Sequence, residues 1–433
     1  MPPSTAAGSA GSSPLAHAAF RALWLASIFS YVGTWIQDVG ESWLMLGLTQ
    51  SPLPVALLST CTTLPAFALT LPAGVLADRL DRRRLLIVAQ AWLAFVALAL
   101  AAWVWAGLAS PGALLVASAA LGIGSALTTP PWQSLLPDMV PRVQTGDAVT
   151  LNAVAFNLAR AIGPALGGLI LGALGAGMAF FLNAVSFLAV IAVLRGYPQI
   201  RRASERAVTV RRTETLMQAT LAAFREVRRS RELPRVYTAV AAFGFATSGV
   251  TALLPSFAKH ALHTDARGYG ILLGGLGLGA VLAAFGMRRV RAAVHSRTLV
   301  AVAMATYGAC TLALSRAHVL PVAALLLVPA GVGWLSSFTT MNALVQLNAS
   351  AWVKSRVLAL YQVAFLAAWS LGATVAGSLA TVVGIENTVA IFALLAVCAA
   401  ALTSRIGLPS YHASLEHDAG TISTPPPASA RVG

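Results

Sequence analysis

Three charged residues stand where charge is unfavourable. Asp38 and Glu41 lie one helical turn apart inside a long apolar stretch, and Arg160 lies inside another. Tyr31, Thr34 and Met45 fall at spacings of three or four along the first stretch, so all five share one helical face. Two carboxylates this close in apolar surroundings repel, and the repulsion is relieved when one takes up a proton. Such a pair is suited to binding and releasing a proton, or to attracting a cationic compound. An arginine inside an apolar helix needs a partner, and Asp38 or Glu41 is the expected one for Arg160. A proton arriving at the acid would weaken that pair and so act as a switch. The plainer readings are a hydrated Glu41 near the end of its stretch and a static ion pair between Asp38 and an arginine.

The stretches that hold these residues are long enough to cross a bilayer. The chain has 433 residues, of which 58% are hydrophobic and 10% charged, whereas a soluble protein carries about a quarter charged residues. At ~20 residues per span, the apolar runs divide into about twelve, near 20–48, 52–77, 83–107, 111–137, 148–174, 177–195, 236–259, 267–287, 296–316, 319–347, 355–383 and 387–406. They lack period-2 alternation, and only helices or closed barrels satisfy backbone groups in lipid. The expected fold is therefore an all-α membrane protein of about twelve transmembrane helices. Tails 1–18 and 407–433 read as disordered, and the first has no basic region of the kind a cleavable signal carries. Cys61, Cys310 and Cys398 fall within spans and read as small apolar residues, without metal or disulfide spacing.

A net charge of +15, from 29 basic and 14 acidic residues, raises nucleic-acid binding, but its placement argues for a membrane. Arginines and a lysine crowd alternate loops: Arg79, Arg82–Arg84, Arg142, the segment Arg195–Arg235, Arg288, Arg289, Arg291, Arg297, Lys354 and Arg356. The opposite loops hold only Lys259, Asp265, Arg267, Arg316 and Glu386. This asymmetry predicts a multi-pass protein of the plasma (bacterial inner) membrane with both termini and the 196–235 linker cytoplasmic. The lipid bilayer is then the chief partner of the basic residues.

The spans form an internal repeat. A shift of 209 positions, without gaps, sets Gly40 on Gly249, Gly122 on Gly331, Gly124 on Gly333, Gly163 on Gly372, Gly168 on Gly377 and Gly175 on Gly384. Six of the sixteen glycines in 20–196 coincide, where chance gives roughly one or two. Arg79 and Arg82 fall on Arg288 and Arg291. Two parallel six-helix blocks follow, 19–195 and 236–406, joined by the linker. Asp38 aligns with Thr247, Glu41 with Val250, Asp78 with Met287 and Arg160 with Trp369, so the buried charge belongs to the first block. That block is expected to hold the proton or ion chemistry, and the second to supply shape and apolar contact.

Other motifs surround this centre. The turn Gly74-Val-Leu-Ala-Asp78-Arg79-Leu-Asp81-Arg82-Arg83-Arg84 packs six charges between two apolar runs. Asp78, at the end of a helix whose dipole disfavours an anion, has Arg79, Arg82 and Arg83 within reach, and Asp138 with Arg142 can extend the network. In the fifth span Gly163, Gly167 and Gly168 allow close helix approach and Pro164 allows a bend. Pro130 and Pro131 are expected to break the fourth span, beside Trp132 and Gln133. Thr34, Gln37, Trp132, Gln133, Asn342, Tyr361 and Gln362 are candidate substrate contacts, with inter-helix hydrogen bonding the equal alternative for each.

The charged turn resembles the loop between the second and third spans of the major facilitator superfamily, nearly residue for residue. The family usually has glycine where this chain has Asp81. The Gly163-Pro164-x-x-Gly167-Gly168 core resembles the fifth-span motif of drug/proton antiporters. Val32-Gly-Thr-Trp-Ile-Gln-Asp-Val39 and Arg356-Val-Leu-Ala-Leu-Tyr-Gln362 are similar to a bacterial exporter branch that includes the enterobactin exporter. The resemblance covers about 20–406 and implies a gate on the cytoplasmic side at Gly74, Asp78, Arg79, Arg82 and Arg83, and a bending, leak-tight seam in the fifth span. It implies a secondary transporter, expected to export a small amphipathic or apolar compound of drug or siderophore type against protons and to work as a monomer. The alternatives are a proton-coupled importer, and a lipid flippase or non-transporting membrane sensor. No Gly-x-x-x-x-Gly-Lys-Ser/Thr loop, zinc spacing or nucleophile–base set occurs in the sequence. Neither ATP, nucleic acid, a metal, a cofactor nor enzymatic chemistry is expected.

Overall fold

The structure, a computed structural model, describes residues 13–49, 51–200, 216–350 and 353–409, apart from some side chains inside helices. The helices are α1 (Ala18–Leu48), α2 (Pro52–Arg79), α3 (Arg82–Trp105), α4 (Pro111–Asp138), α5 (Thr145–Gly196), α6 (Leu216–Arg229), α7 (Leu233–His260), α8 (Ala266–Ala293), α9 (Ser296–Leu314), α10 (Leu320–Asn348), α11 (Lys354–Val383) and α12 (Ile385–Ile406). No strand occurs among the described residues. Nine of these helices are long and apolar enough to cross a membrane, and α5, with 52 residues, is long enough to do so twice. α1 is 31 residues long and interrupts its apolar run with Asp38 and Glu41.

The expected spans match these helices closely, because a run that must bury its backbone groups in lipid has few ways to end. Spans five and six are joined without a loop. Gly175 turns the chain there at φ 78° and ψ 172°, a conformation that side chains rarely adopt. Its repeat partner Gly384 does the same between α11 and α12, at φ 85° and ψ 162°. The repeat is therefore present in backbone conformation as well as in glycine spacing.

Two expectations fail. Pro130 and Pro131 do not break the fourth span, since α4 runs on to Asp138. Hydroxyls around the proline pair bond carbonyls one turn earlier: Thr128 to Gly124 at 2.9 Å, Thr129 to Ser125 at 2.9 Å and Ser134 to Pro130 at 2.9 Å. The linker, read as a plain arginine-rich loop, contains α6. Residues 1–12 and 410–433, most of the two tails, lie outside the described residues.

The chain forms two compact units, Met1–Glu214 with Leu254–Gly277, and Thr215–Leu253 with Leu278–Gly433. The end of α7 and the start of α8 thus belong with the amino-terminal block, a departure from the repeat boundary. One core of the first unit gathers Met45, Leu46, Leu100, Leu114, Phe180 and Phe187, and a second gathers Phe20, Leu23, Leu86, Leu136 and Leu194. Large apolar side chains also point outward, including Phe285 (84% exposed) and Val382 (82%). Exposure of this extent on apolar helices is what a lipid solvent accommodates.

Candidate membrane-buried polar site

The five residues on one face of α1 meet different surroundings along its length. Thr34 and Asp38 are exposed, whereas Glu41 and Met45 are buried. Both carboxylate oxygens of Glu41 accept hydrogen bonds, from Gln37 Nε2 at 2.7 Å and from Ser118 Oγ of α4 at 2.7 Å. The Gln37 amide in turn accepts from Asn183 Nδ2 of α5 at 2.6 Å. Ser186 donates to the backbone oxygen and to Oδ1 of Asn183, at 2.7 and 3.0 Å. Gln37, Glu41, Ser118, Asn183 and Ser186 are each 5% exposed or less. They tie α1 to α4 and α5 in one satisfied chain, and a buried network of this kind is stiff when every member is bonded. Gly33 makes the room: a Cβ there would lie 2.6 Å from Asn183 Oδ1 and 2.8 Å from Ser186 Oγ.

Asp38 is outside this chain. Its electrostatic neighbours are Glu41, one turn on, and Tyr269 of α8, which bonds Ser42 and stacks on Trp43 at 6.1 Å. Arg160 meets Trp35, its guanidinium carbon 5.9 Å from the ring centroid. The ion pair expected between Arg160 and Asp38 or Glu41 is not among those formed by the described residues. The reason is register and occupancy. Gly163 of α5 lies against Trp35, and Arg160 sits one turn before Gly163, so the guanidinium falls behind Asp38 along α1. Glu41, farther on, already has both oxygens engaged.

The fifth-span motif packs on two sides. A Cβ at Gly163 would lie 2.6 Å from Trp35 Cβ, and one at Gly167 3.1 Å from Ile36 Cα. At Gly168 it would lie 2.7 Å from the Ala266 oxygen and 2.9 Å from Gly270 Cα, at the start of α8. Pro164 is buried inside α5, which continues through it.

The charged turn joins helix ends. Asp81 caps α3, accepting from Arg83 N at 2.9 Å and Arg84 N at 3.2 Å, with φ −60°. Aspartate thus replaces the family's glycine without strain, because the position needs a helix cap and not a left-handed backbone. Arg82 pairs with Asp138 at 2.8 Å. Arg83 donates to the carbonyls of Leu194 at 2.6 Å and Arg195 at 3.5 Å, closing the end of α5 where cations are favoured. The side chains of Asp78, Arg79 and Arg142, and the surroundings of Gly74, lie outside the described residues.

The candidate substrate contacts separate into groups. Gln37 is engaged at both ends of its amide. Trp132 is buried and donates to Asn152 Oδ1 at 3.2 Å, and Tyr361 is buried and donates to the Phe338 oxygen at 3.2 Å. Thr34, Gln133 and Gln362 are exposed, and Asn342 accepts from Gln346 at 2.7 Å.

Sequence reasoning missed an aromatic cluster in the second unit. Phe338 stacks on Trp334 at 5.4 Å and meets Phe365 at 5.0 Å, and Phe365 meets Trp369 at 5.6 Å. Phe243 lies 6.0 Å from Trp334, and Tyr361 lies 6.2 Å from Phe338. The 209-residue shift places these six on Thr34, Ser125, Thr129, Asn152, Phe156 and Arg160. The repeat had already set Trp369 on Arg160, and carrying the same comparison to the other aromatic positions of the second block would have found it.

Twelve crossings in two repeated blocks, with polar groups buried in one, define a multi-pass membrane transporter of the major facilitator fold. The chain belongs to the transmembrane secretion effector family of that superfamily, whose model matches residues 9–430. It is 25% identical to the multidrug efflux pump Tap of Mycobacterium tuberculosis over 88% of this chain and 91% of that protein. It is 31% identical to the staphyloferrin A transporter of Staphylococcus aureus over 40% of this chain, a match spanning 43% of that protein's length. Among solved structures, a bacterial homologue of the human lysosomal transporter Spinster superposes with a TM-score of 0.66 at 16% identity, over 92% of this chain and 98% of that one. A POT family transporter in complex with a thioalcohol-conjugated peptide superposes with a TM-score of 0.69 at 11% identity, over 94% and 96%. At these identities the structural likeness establishes the fold.

Proposed function

We propose that this transporter exports a small amphipathic or apolar compound in exchange for protons, from the bacterial inner membrane, with both termini cytoplasmic. The observation that carries the reading is the contrast between two acids one turn apart. Glu41 is sealed and fully bonded, while Asp38 is exposed and outside the network. A carboxylate that exchanges protons must be reachable, and an acid within a span is a functional residue by default. Asp38 therefore carries the proton, and Glu41 holds α1 in place and sets the field around it. Arg160, held against Trp35 in this structure, is the competing partner that Asp38 meets elsewhere in the transport cycle. Efflux is supported by relatives such as the multidrug pump, and an apolar compound by the aromatic cluster.

The blocks 19–195 and 236–406 act as the two moving bodies of alternating access, with 196–235 between them. On this reading the pairs made by Arg82 and Arg83 stiffen the cytoplasmic ends of their block, with Gly74, Asp78, Arg79 and Arg142 completing the gate. The glycines at 163, 167 and 168 let α5 slide closely on its neighbours. Everted membrane vesicles acidified inside should accumulate a confirmed substrate, and Asp38→Asn should abolish that accumulation. Full gradient-driven uptake by this variant would end the assignment of the proton to Asp38.

A further inference from the structure

We propose that α6, the helix between the two blocks, lies at the bilayer surface and binds anionic phospholipid headgroups through Arg225, Arg228 and Arg229. The helix has two occupied faces. On one, Ala223 (2% exposed) and Val227 (8%) are buried, α6 packs against α11, and Glu226 accepts from the backbone N–H of Ser350 at 3.4 Å and from its hydroxyl. These contacts anchor α6 to its own unit. On the other face, Leu221 (43% exposed) and Phe224 (49%) point outward, although anchoring does not require them. Positions 221, 224, 225 and 228 recur at helical spacing, so Arg225 and Arg228 flank the two apolar side chains, with exposed Arg229 beside them. Arg228 lies over the Phe224 ring, 6.0 Å from its centroid.

An outward stripe that mixes bulky apolar groups with arginines suits the boundary between acyl chains and headgroups. Water would satisfy the arginines but not Leu221 and Phe224, and hydrocarbon would do the reverse. The membrane is within reach, because the spanning helix α7 starts at Leu233, four residues beyond Arg229. The sign of the lipid follows from charge. Glu226, the one acid between 221 and 229, is turned to Ser350, so the outer face is positive. Guanidinium groups bind phosphate oxygens in a bidentate manner and remain charged at all relevant pH.

The test uses delipidated full-length protein in detergent, titrated with phosphatidylglycerol, with phosphatidylcholine of the same chains, and with inorganic phosphate. Phosphatidylglycerol should bind and the other two should not. Each basic residue near an anionic surface is worth about a factor of five, so R225Q/R228Q/R229Q should weaken phosphatidylglycerol binding at least tenfold. R225K/R228K/R229K should restore most of it, which separates charge from folding. Phe224→Ser should weaken it while leaving circular dichroism unchanged. Wild-type affinity in the triple glutamine variant overturns the proposal, as does binding of inorganic phosphate as tight as that of the lipid. Dipolar coupling between nitroxides at position 224 of two molecules also overturns it, by showing that a second copy covers the face.

Discussion

At matching positions the two blocks carry different side chains, polar groups in one and aliphatic or aromatic groups in the other. Gln37, Glu41, Ser118, Asn183 and Ser186 form the buried polar chain, and their repeat partners are Ala246, Val250, Leu327, Phe392 and Leu395. Conversely, Phe243, Trp334, Phe338, Tyr361 and Trp369 fall where the first block has Thr34, Ser125, Thr129, Asn152 and Arg160. The shared backbone, down to Gly175 and Gly384, makes these positions equivalent. The same scaffold has thus been filled twice with different chemistry. The proposed exchange fits this division, since proton handling needs groups that hold charge in a fixed geometry and recognition of an apolar compound needs area that water leaves readily.

The contrast can be broken at several points. The largest effect belongs to Gly33→Ala. Its Cβ would meet Asn183 Oδ1 at 2.6 Å and Ser186 Oγ at 2.8 Å, whereas the repeat partner Ala242 already carries a Cβ. Denaturant unfolding in detergent should show a loss of about 3 kcal/mol, from crowding and from polar groups left unsatisfied. Ser118→Ala removes one donor from a buried carboxyl and should cost about 2 kcal/mol in the same assay. The second block should respond in another currency. Phe338→Ala should weaken apparent substrate affinity roughly tenfold, the scale of a lost aromatic contact, and leave the proton stoichiometry unchanged. A changed stoichiometry would erase the division between blocks. Smallest is Asp81→Ala, which removes the cap of α3 and should cost about 1 kcal/mol of stability with transport retained.

Much of the scaffold was legible in the sequence. Apolar run length located the crossings, because the bilayer fixes the length of a span. Glycine spacing located the repeat, because close helix approach and the turns at Gly175 and Gly384 tolerate little else. The acids were legible as charges in apolar runs. The difference in their surroundings was not, since it depends on Asn183, 146 residues from its partner Gln37, and on Ser118, 77 residues from Glu41. Neither serine nor asparagine disturbs hydropathy enough to announce itself. Likewise α6 is short and rich in arginine, so its composition resembled a loop although its spacing was helical. The unbroken α4 shows the limit of reading proline as punctuation where hydroxyls bond nearby carbonyls.

Proton release on substrate binding would distinguish the two acids of α1. Purified protein in weakly buffered detergent solution, mixed with a confirmed substrate, should release protons detectable with a pH-sensitive dye. The Asp38→Asn protein should release none, while folded Glu41→Gln protein should still do so. Undiminished release from the Asp38→Asn protein would contradict the assignment of the proton to Asp38.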